Sequence, residues 1–192
     1  MRIARFLPKT AAEGPGCRAC VWVQGCAHGC DGCFAQALWD PNGGYDIDAQ
    51  EIISSIENNR SALRGITLLG GEPFDQAEEL SVISAYAHEM DLDVIAFTGY
   101  LLEELRLRPD AVKLLENVDL LLDGEYKKEL RDFSRPLVGS SNQRFLYLTG
   151  RITPEEMASY KNRFEIRTDS SGAIRINGMG NLETIEQYLK DN

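Results

Sequence analysis

The distribution of hydrophobic and polar residues predicts alternating strands and helices over the first 150 residues. Runs rich in β-branched, aromatic or other apolar residues predict strands at 17–24, 65–70, 92–98, 118–123 and 145–149. Apolar residues at helical spacing predict helices at 47–56, 75–90, 101–107 and 109–117. Continuous apolar runs are typical of parallel strands that are covered on both faces. This order of elements predicts an α/β fold, as a barrel, a partial barrel or an open sheet.

Residues 151–192 follow a different pattern. They predict a short helix at 153–161, two strands at 163–168 and 173–177, and a final helix at 182–189. The segment Asp-Ser-Ser-Gly at 169–172 is typical of the turn of a hairpin. We therefore expect a core at 1–150 and a C-terminal extension, a hairpin plus a helix, that packs on this core.

Composition indicates one globular domain with an acidic surface. The chain has 192 residues, 43% of them hydrophobic, and a formal net charge of -10. An acidic surface repels phosphate backbones and anionic lipids, so we expect neither a nucleic acid nor a membrane as partner. No run approaches the roughly 18 apolar residues of a membrane span, and the first residues lack the apolar stretch of a signal peptide. We expect a cytoplasmic protein with reduced cysteines.

All five cysteines lie between Cys17 and Cys33. In a reducing compartment such clustering indicates metal or redox chemistry more often than disulfides. Cys26, Cys30 and Cys33 follow a C-x3-C-x2-C spacing, with glycines between them that allow the backbone to wrap around a compact object. Iron–sulfur clusters that only transfer electrons take four protein ligands. Three cysteines leave one iron open, which is where a substrate or cosubstrate binds.

Zinc is the competing interpretation of the cysteines. Cys17 and Cys20 precede Cys30 and Cys33 in a C-x2-C…C-x2-C pattern that is typical of zinc sites. Residues three apart on a strand point to opposite faces, however, so the first pair is poorly placed to bind one ion. We expect Cys17 and Cys20 to be small strand residues, since free cysteine often behaves as a buried hydrophobic residue.

The cysteine loop and the segment Gly70-Gly71-Glu72-Pro73 at a predicted strand end together resemble the radical S-adenosylmethionine (SAM) enzymes. The resemblance implies an incomplete (β/α) barrel of the radical SAM type, with a 4Fe-4S cluster held by Cys26, Cys30 and Cys33 and with SAM bound at its open iron. It also implies that segment 70–72 binds the methionine ammonium. Chemically this is consistent, because glycines allow close backbone approach and a carboxylate or carbonyls pair with a cation.

Further motifs narrow the resemblance to the anaerobic ribonucleoside-triphosphate reductase activating proteins and related glycyl-radical activases. The matching segments are Glu13-Gly-Pro-Gly16, Trp22 to Cys26, Trp39, Thr98-Gly-Tyr100, Asp119 to Gly124 and Gly139 to Gln143. The resemblance implies a large glycyl-radical enzyme as partner and an electron donor such as flavodoxin or ferredoxin. The cofactor-binding residues that we assign are Gly32, Cys33, Phe34, Gly70, Gly71, Glu72 and Thr98.

Three hypotheses follow from these residues. The first is an activase that installs a glycyl radical on a reductase, the second is a radical SAM enzyme that modifies a peptide or small metabolite, and the third is a non-catalytic zinc or iron–sulfur binding module. Thr98, Tyr100 and Asp123 follow predicted strands and either line the SAM pocket or are polar strand ends. His28 lies inside the cysteine loop, where packing or solvent exposure is a simpler role than metal binding.

Overall fold

The structure is a computed structural model that describes residues 1–168 and 172–179. One sheet contains the strands β1 (Arg2–Thr10), β2 (Arg18–Val23), β3 (Tyr45–Asp46), β4 (Gly65–Gly70), β5 (Asp93–Phe97), β6 (Leu120–Asp123) and β7 (Arg144–Tyr147). The helices are α1 (Ala49–Asn59), α2 (Ala77–Glu89), α3 (Leu102–Leu105), α4 (Pro109–Leu115) and α5 (Pro154–Ser159). A second sheet is the hairpin of β8 (Phe164–Thr168) and β9 (Ile174–Gly178).

The large sheet is parallel in its centre and antiparallel at both edges. Its strand order is β3-β1-β2-β4-β5-β6-β7. Strands β2, β4, β5 and β6 run parallel, whereas β1, β3 and β7 pair antiparallel. The prediction of a mixed α/β fold is therefore confirmed. The described strands form no closed barrel, because β3 and β7 lie at opposite edges.

Two parts of the sequence prediction need comment. Strand β1 was not predicted, because Arg2, Arg5 and Lys9 interrupt its apolar residues and most of its positions are only half-buried. Its pairing with β2 and β3, rather than its own pattern, makes it a strand. The helix predicted at 182–189 and most of the turn at 169–172 lie outside the described residues.

Helices α1 and α2 cover one face of the sheet. Helix α1 begins with a capping box in which Asp48 and Glu51 satisfy free backbone amides. It buries Ile52, Ile53 and Ile56, the residues whose spacing predicted it. A fully buried side chain of this size stabilises the fold by roughly 1.5–3 kcal/mol, so the helical apolar stripe anchors α1 on the sheet.

The amino ends of three parallel strands are joined by a buried arginine. Arg18 of β2 is fully buried, and its Nε donates to Thr67 Oγ1 of β4 at 2.7 Å. Its Nη2 donates to Asp93 Oδ1 of β5 at 2.5 Å. A buried charge needs such a partner. The ion pair of Arg18 and Asp93 fixes the amino end of the sheet, opposite the strand ends at Val23 and Gly70.

The β8–β9 hairpin contacts the end of β1. Glu165 Oε1 accepts a hydrogen bond from the amide of Ala11 at 2.7 Å, and Glu165 Oε2 accepts one from Thr10 Oγ1 at 2.8 Å. From the other strand, Asn177 Nδ2 donates to Thr10 Oγ1 at 3.0 Å. These bonds attach both strands of the hairpin to the core sheet.

Within residues 1–168 and 172–179, no helix has the length and apolar character needed to cross a bilayer.

Candidate functional site

A cavity of about 570 Å³ lies at the carboxyl ends of the parallel strands. Cys26, Cys30 and Cys33 line it together with segment 70–72 and Thr98. These residues come from the loop after β2 and from the ends of β4 and β5. Carboxyl ends of parallel strands are the usual place for ligand sites in α/β proteins.

The loop that carries the three cysteines is held at both of its ends. The amide of Gly25 donates to Leu38 O at 2.9 Å, and the amide of Cys26 donates to Trp39 O at 3.2 Å. Gly29 and Gly32, between the cysteines, have φ values of 63° and 74°. Such left-handed backbone strongly favours glycine, so the glycines permit the turns that bring the cysteines to one cavity.

Backbone amides point at the cysteine sulfurs. The amide of Ala35 donates to Cys33 Sγ at 3.3 Å. The backbone amides of His28 and Gly29 donate hydrogen bonds to the sulfur of Cys26. Burial nevertheless raises the pKa of the Cys26 thiol above its ordinary value, against the effect of these two hydrogen bonds.

Cys30 has a corresponding donor from another part of the chain. The amide of Tyr126 supplies it from the loop after β6, while burial raises the pKa of the Cys30 thiol. The contact therefore links the cysteine loop to the loop that follows β6.

Glu72 joins the ends of two parallel strands. The side chain is only 1% exposed. Its Oε1 accepts hydrogen bonds from Phe74 N and Thr98 Oγ1, both at 2.9 Å, and its Oε2 accepts one from Gly99 N at 2.8 Å. The carboxylate is thus held in one orientation by three donors of the protein.

Gly70 and Gly71 cross directly over the end of β2. The amide of Gly71 donates to Val23 O at 2.8 Å, and the amide of Glu72 donates to Gly25 O at 2.8 Å. A Cβ on Gly71 would lie 2.1 Å from Gly25 O, and Gly70 has a φ of 116°. Only glycine allows this approach, which places the turn after β4 against the start of the cysteine loop.

His28 is packed inside the site. Its ring lies edge-on to Tyr100 with the ring centroids 4.5 Å apart. Its Nδ1 lies 3.0 Å from Glu125 Oε1 and its Nε2 lies 3.3 Å from Glu72 Oε2, the latter at ion-pair distance but without hydrogen-bond alignment. The carboxylate of Glu72, and then that of Glu125, raises the pKa of His28 to about 9 against the opposing effect of burial. Packing, one of the two simpler roles expected for His28, describes its position.

Comparison with known proteins identifies this arrangement. Residues 12–146 match the family model described as a 4Fe-4S single cluster domain. The anaerobic ribonucleoside-triphosphate reductase-activating protein of Haemophilus influenzae is 33% identical over 150 residues, which are 74% of this chain and 96% of that protein. The protein of the same description from bacteriophage T4 is 32% identical over 151 residues, 75% of this chain and 92% of the relative.

The chain belongs to the family of anaerobic ribonucleoside-triphosphate reductase-activating proteins. The member from Escherichia coli is 30% identical over 150 residues, 74% of this chain and 96% of that protein. The resemblance inferred from the cysteine loop and the Gly-Gly-Glu-Pro segment is confirmed. The cofactors of this activating-protein chain are a 4Fe-4S cluster and SAM.

The residues of this activating-protein chain fit such a cluster better than a single zinc ion. In the described part of the chain, no three His, Cys, Asp or Glu side chains are arranged to hold one metal ion. A cluster makes a different demand, because each of its cysteines binds a different iron and the sulfurs need not converge on one point. Cys17 and Cys20 do not line the cavity, and Cys20 is fully buried within β2, which does not support the zinc interpretation.

Several other predicted residues also have definite positions. Thr98, Cys33 and Phe34 line the cavity, and the Phe34 side chain is 62% exposed, whereas Gly32 lies just outside.

Tyr100 and Asp123 do not line the cavity. Tyr100 donates to Asp75 Oδ1 at 2.9 Å, and Asp123 Oδ2 accepts a hydrogen bond from the amide of Leu102 at 2.8 Å. Of the two roles considered for them, the polar strand end is the one that these contacts support.

Three further residues line the cavity that were not assigned to a site from the sequence, although Glu13 lies in one of the matching motifs. Arg5 of β1, Glu13, and Asn177 of β9 line it together with the cysteine loop and the β4 turn. Arg5 belongs to a strand that was not predicted, and Asn177 belongs to the extension. No local pattern marks either residue, because only the path of the chain brings them together.

Proposed function

We propose that this chain is a radical SAM activating enzyme that installs a glycyl radical on an anaerobic ribonucleotide reductase. The observation that carries the proposal is that Cys26, Cys30 and Cys33 line one cavity with segment 70–72 in a member of this family. When bound, the cluster supplies the electron that cleaves SAM to methionine and a 5′-deoxyadenosyl radical, which abstracts a hydrogen atom.

The cluster ligands in this proposal are Cys26, Cys30 and Cys33. The backbone amides directed at their sulfurs support this role, since such donors stabilise thiolates. Cys17 and Cys20 lie away from the cavity, so three thiolates leave one iron without a protein ligand. Such an open position is where a cosubstrate binds.

The methionine end of SAM is assigned to segment 70–72. Gly70 and Gly71 leave backbone exposed to the cavity, and strand-end carbonyls attract an ammonium group. Glu72 already accepts three hydrogen bonds, so we assign it mainly to holding the turn in place. Its carboxylate also contributes a negative charge beside the turn. We assign Thr98, Cys33 and Phe34 to the cavity wall beside SAM, and Gly32 to the turn that positions Cys33.

We infer that the sheet is an incomplete barrel of the radical SAM type. Residues from β1 through the loop after β6 line the same cavity, among them Arg5 and Gly124. Arg5 belongs to β1 and Gly124 follows β6, and these two strands are four positions apart in the sheet order. In a flat sheet with a spacing of roughly 4.8 Å between neighbouring strands, they would lie about 19 Å apart. Because residues from both strands line one cavity, we infer that the sheet is strongly curved. We propose residues 1–150 as the core unit and residues 151–192 as its extension.

A large protein substrate is the partner that suits this cavity. An incomplete barrel leaves a reactive radical open to water unless another surface covers it. A reductase that presents a glycine on a loop covers the opening. An electron donor such as flavodoxin or ferredoxin completes the proposed set of partners.

Electron paramagnetic resonance tests the proposal. The chain, reconstituted with iron and sulfide without oxygen, is incubated with SAM, a reductant and the anaerobic ribonucleotide reductase encoded in the same genome. A protein-based glycyl radical and one 5′-deoxyadenosine per radical are expected, and the Cys30→Ala variant serves as the inactive control. If 5′-deoxyadenosine forms only when a small molecule donates hydrogen and no protein radical appears, the enzyme modifies a metabolite and the proposal is wrong.

A further inference from the structure

The middle of the cysteine loop has little backbone support. Within the described residues, the one backbone-to-backbone hydrogen bond of residues 27–33 runs from the amide of Cys33 to Cys30 O at 3.1 Å, inside the loop itself. Gly29 and Gly32 add conformational freedom to the same stretch. The position of this stretch relative to the sheet therefore depends on its side chains.

The side chain of His28 connects this stretch to the strand-end turns. The residue lies two positions from Cys26 and two from Cys30, and only 12% of its side chain is exposed. Its Nδ1 lies 3.0 Å from Glu125 Oε1 in the loop after β6. Its Nε2 lies 3.3 Å from Glu72 Oε2 in the turn after β4. One ring thus bridges the ends of the two strands that flank β5 in the sheet.

The turn after β5 packs on the same ring. The ring of Tyr100 lies edge-on to it, and a Cβ on Gly99 would lie 2.6 Å from His28 Cδ2. The φ of Gly99 is outside the left-handed region, so the backbone itself accepts alanine there. Glycine at this position therefore makes room for the imidazole, which contacts the turns after β4, β5 and β6.

Two other polar contacts reach the same stretch from outside the loop. Asp31 pairs with Lys128 at 3.4 Å, but both side chains are exposed, and exposed pairs contribute little to stability. The amide of Tyr126 donates to the Cys30 sulfur from the loop after β6. Of these contacts, only those of His28 reach all three turns.

The place of the ring bears on both neighbouring cysteines. Cys26 and Cys30 flank His28, so a shift of the ring moves the backbone that carries the two sulfurs. Catalysis is sensitive to such shifts, because a misplacement of about 1 Å can lower a rate about a hundredfold. The Nε2 atom of His28 is buried, which favours packing against the turns over a ligand contact through this atom.

We propose that His28 is a positioning residue of this enzyme, whose ring holds Cys26 and Cys30 at a fixed place relative to the turn at 70–72. The inference rests on the proposed function, in which these cysteines bind the cluster and that turn binds the methionine end of SAM. His28 acts through the cysteines and takes no part in the bond cleavage itself.

Three variants test this role. His28→Phe keeps a ring but removes both nitrogens, whereas His28→Asn keeps a donor near the place of Nδ1. Gly99→Ala leaves the histidine in the chain but takes the space of its ring. Asp31→Asn is the matched control, because Asp31 lies in the same loop with a side chain that is 84% exposed. Melting curves and iron analysis of all variants report folding and cluster content.

Three quantities are measured on the reconstituted full chain: hydrogen–deuterium exchange of residues 27–33 without SAM, the Kd for SAM, and the rate of 5′-deoxyadenosine formation per cluster at saturating SAM with a chemical reductant. We expect His28→Phe and Gly99→Ala to exchange faster and to react about ten- to a hundredfold more slowly than the wild type. His28→Asn should recover part of both losses, because it restores a donor to Glu125. Asp31→Asn should match the wild type.

Three results overturn the positioning role. Faster exchange with a wild-type rate shows that His28 only packs the loop. Unchanged exchange with a slower rate or weaker SAM binding makes His28 a contact of the reactants, and variants that equal an active wild type in all three quantities show that it has no role. A wild type that holds its cluster but cleaves no SAM instead removes the proposed function, and the positioning role with it.

Discussion

The amide of Gly99 donates a hydrogen bond to Glu72 Oε2 at 2.8 Å, and this bond ties the turn after β4 to the turn after β5. Thr98 Oγ1 reinforces the tie through Glu72 Oε1 at 2.9 Å. The carboxylate is therefore a structural part of the cavity as well as a charge beside it. Its replacement should affect both stability and cofactor binding.

Glu72→Ala should lower the free energy of unfolding by roughly 2–4 kcal/mol, because it leaves three donors without an acceptor. The Kd for SAM should rise about ten- to a hundredfold while the iron content stays intact. Chemical denaturation and calorimetric titration measure the two effects. Thr67→Val is the matched control, since it removes buried hydrogen bonds at the opposite end of the sheet and should lower stability alone. Normal SAM binding by Glu72→Ala would leave the backbone of Gly70 and Gly71 as the ammonium site.

Replacing the cysteines one at a time should separate ligands from packing residues. Cys26→Ala, Cys30→Ala and Cys33→Ala should each lose the 4Fe-4S cluster after anaerobic reconstitution. Cys17→Ala should retain it, because Cys17 does not line the cavity. Iron and sulfide analysis with visible absorption spectra provides the measurement. Full iron retention in Cys30→Ala, or stoichiometric zinc in the wild type, would show that the assigned ligands are wrong.

Arg144→Met should destabilise the fold by about 3 kcal/mol at pH 8. Asp123 is fully buried, and Arg144 Nε donates to its Oδ1 at 2.8 Å, so the variant strands a buried charge.

Urea unfolding at pH 8 measures the effect of Arg144→Met. Glu103→Gln is the control, because Glu103 is an exposed partner of the same arginine and exposed pairs contribute little. The hydrogen bond from Arg144 lowers the pKa of Glu103 to about 2. A stability of Arg144→Met equal to that of the wild type would argue against a stranded Asp123 charge.

Glu13→Gln should stabilise the protein at pH 8 and have little effect at pH 4. Burial raises the pKa of Glu13 above its ordinary value, against the hydrogen bonds from Asn177 and Gly178. Stability is then lost as the pH rises through the unfolded-state value of roughly 4.3, and glutamine removes that loss while it keeps an acceptor for Asn177. Denaturation curves at both pH values decide the matter, and a variant that is less stable at pH 8 would contradict the prediction.

Local sequence determined the chemistry of this protein. Cys26, Cys30 and Cys33 lie within eight residues of each other, and the Gly-Gly-Glu-Pro segment is four residues long. Each motif is local in sequence, so the cofactor class could be predicted from both without knowledge of the fold. Helix α1 was equally clear, since Ile52, Ile53 and Ile56 follow the helical period that buries one face.

Only the tertiary structure decided how the cavity is walled. Strand β1 carries three charged residues and is stabilised by pairing with its neighbours, so its own pattern did not predict it. Arg5 and Ile176 are 171 positions apart, and Glu72 and Gly99 are 27 apart. Contacts at such separations depend on the path of the whole chain, which a local hydrophobic period does not encode.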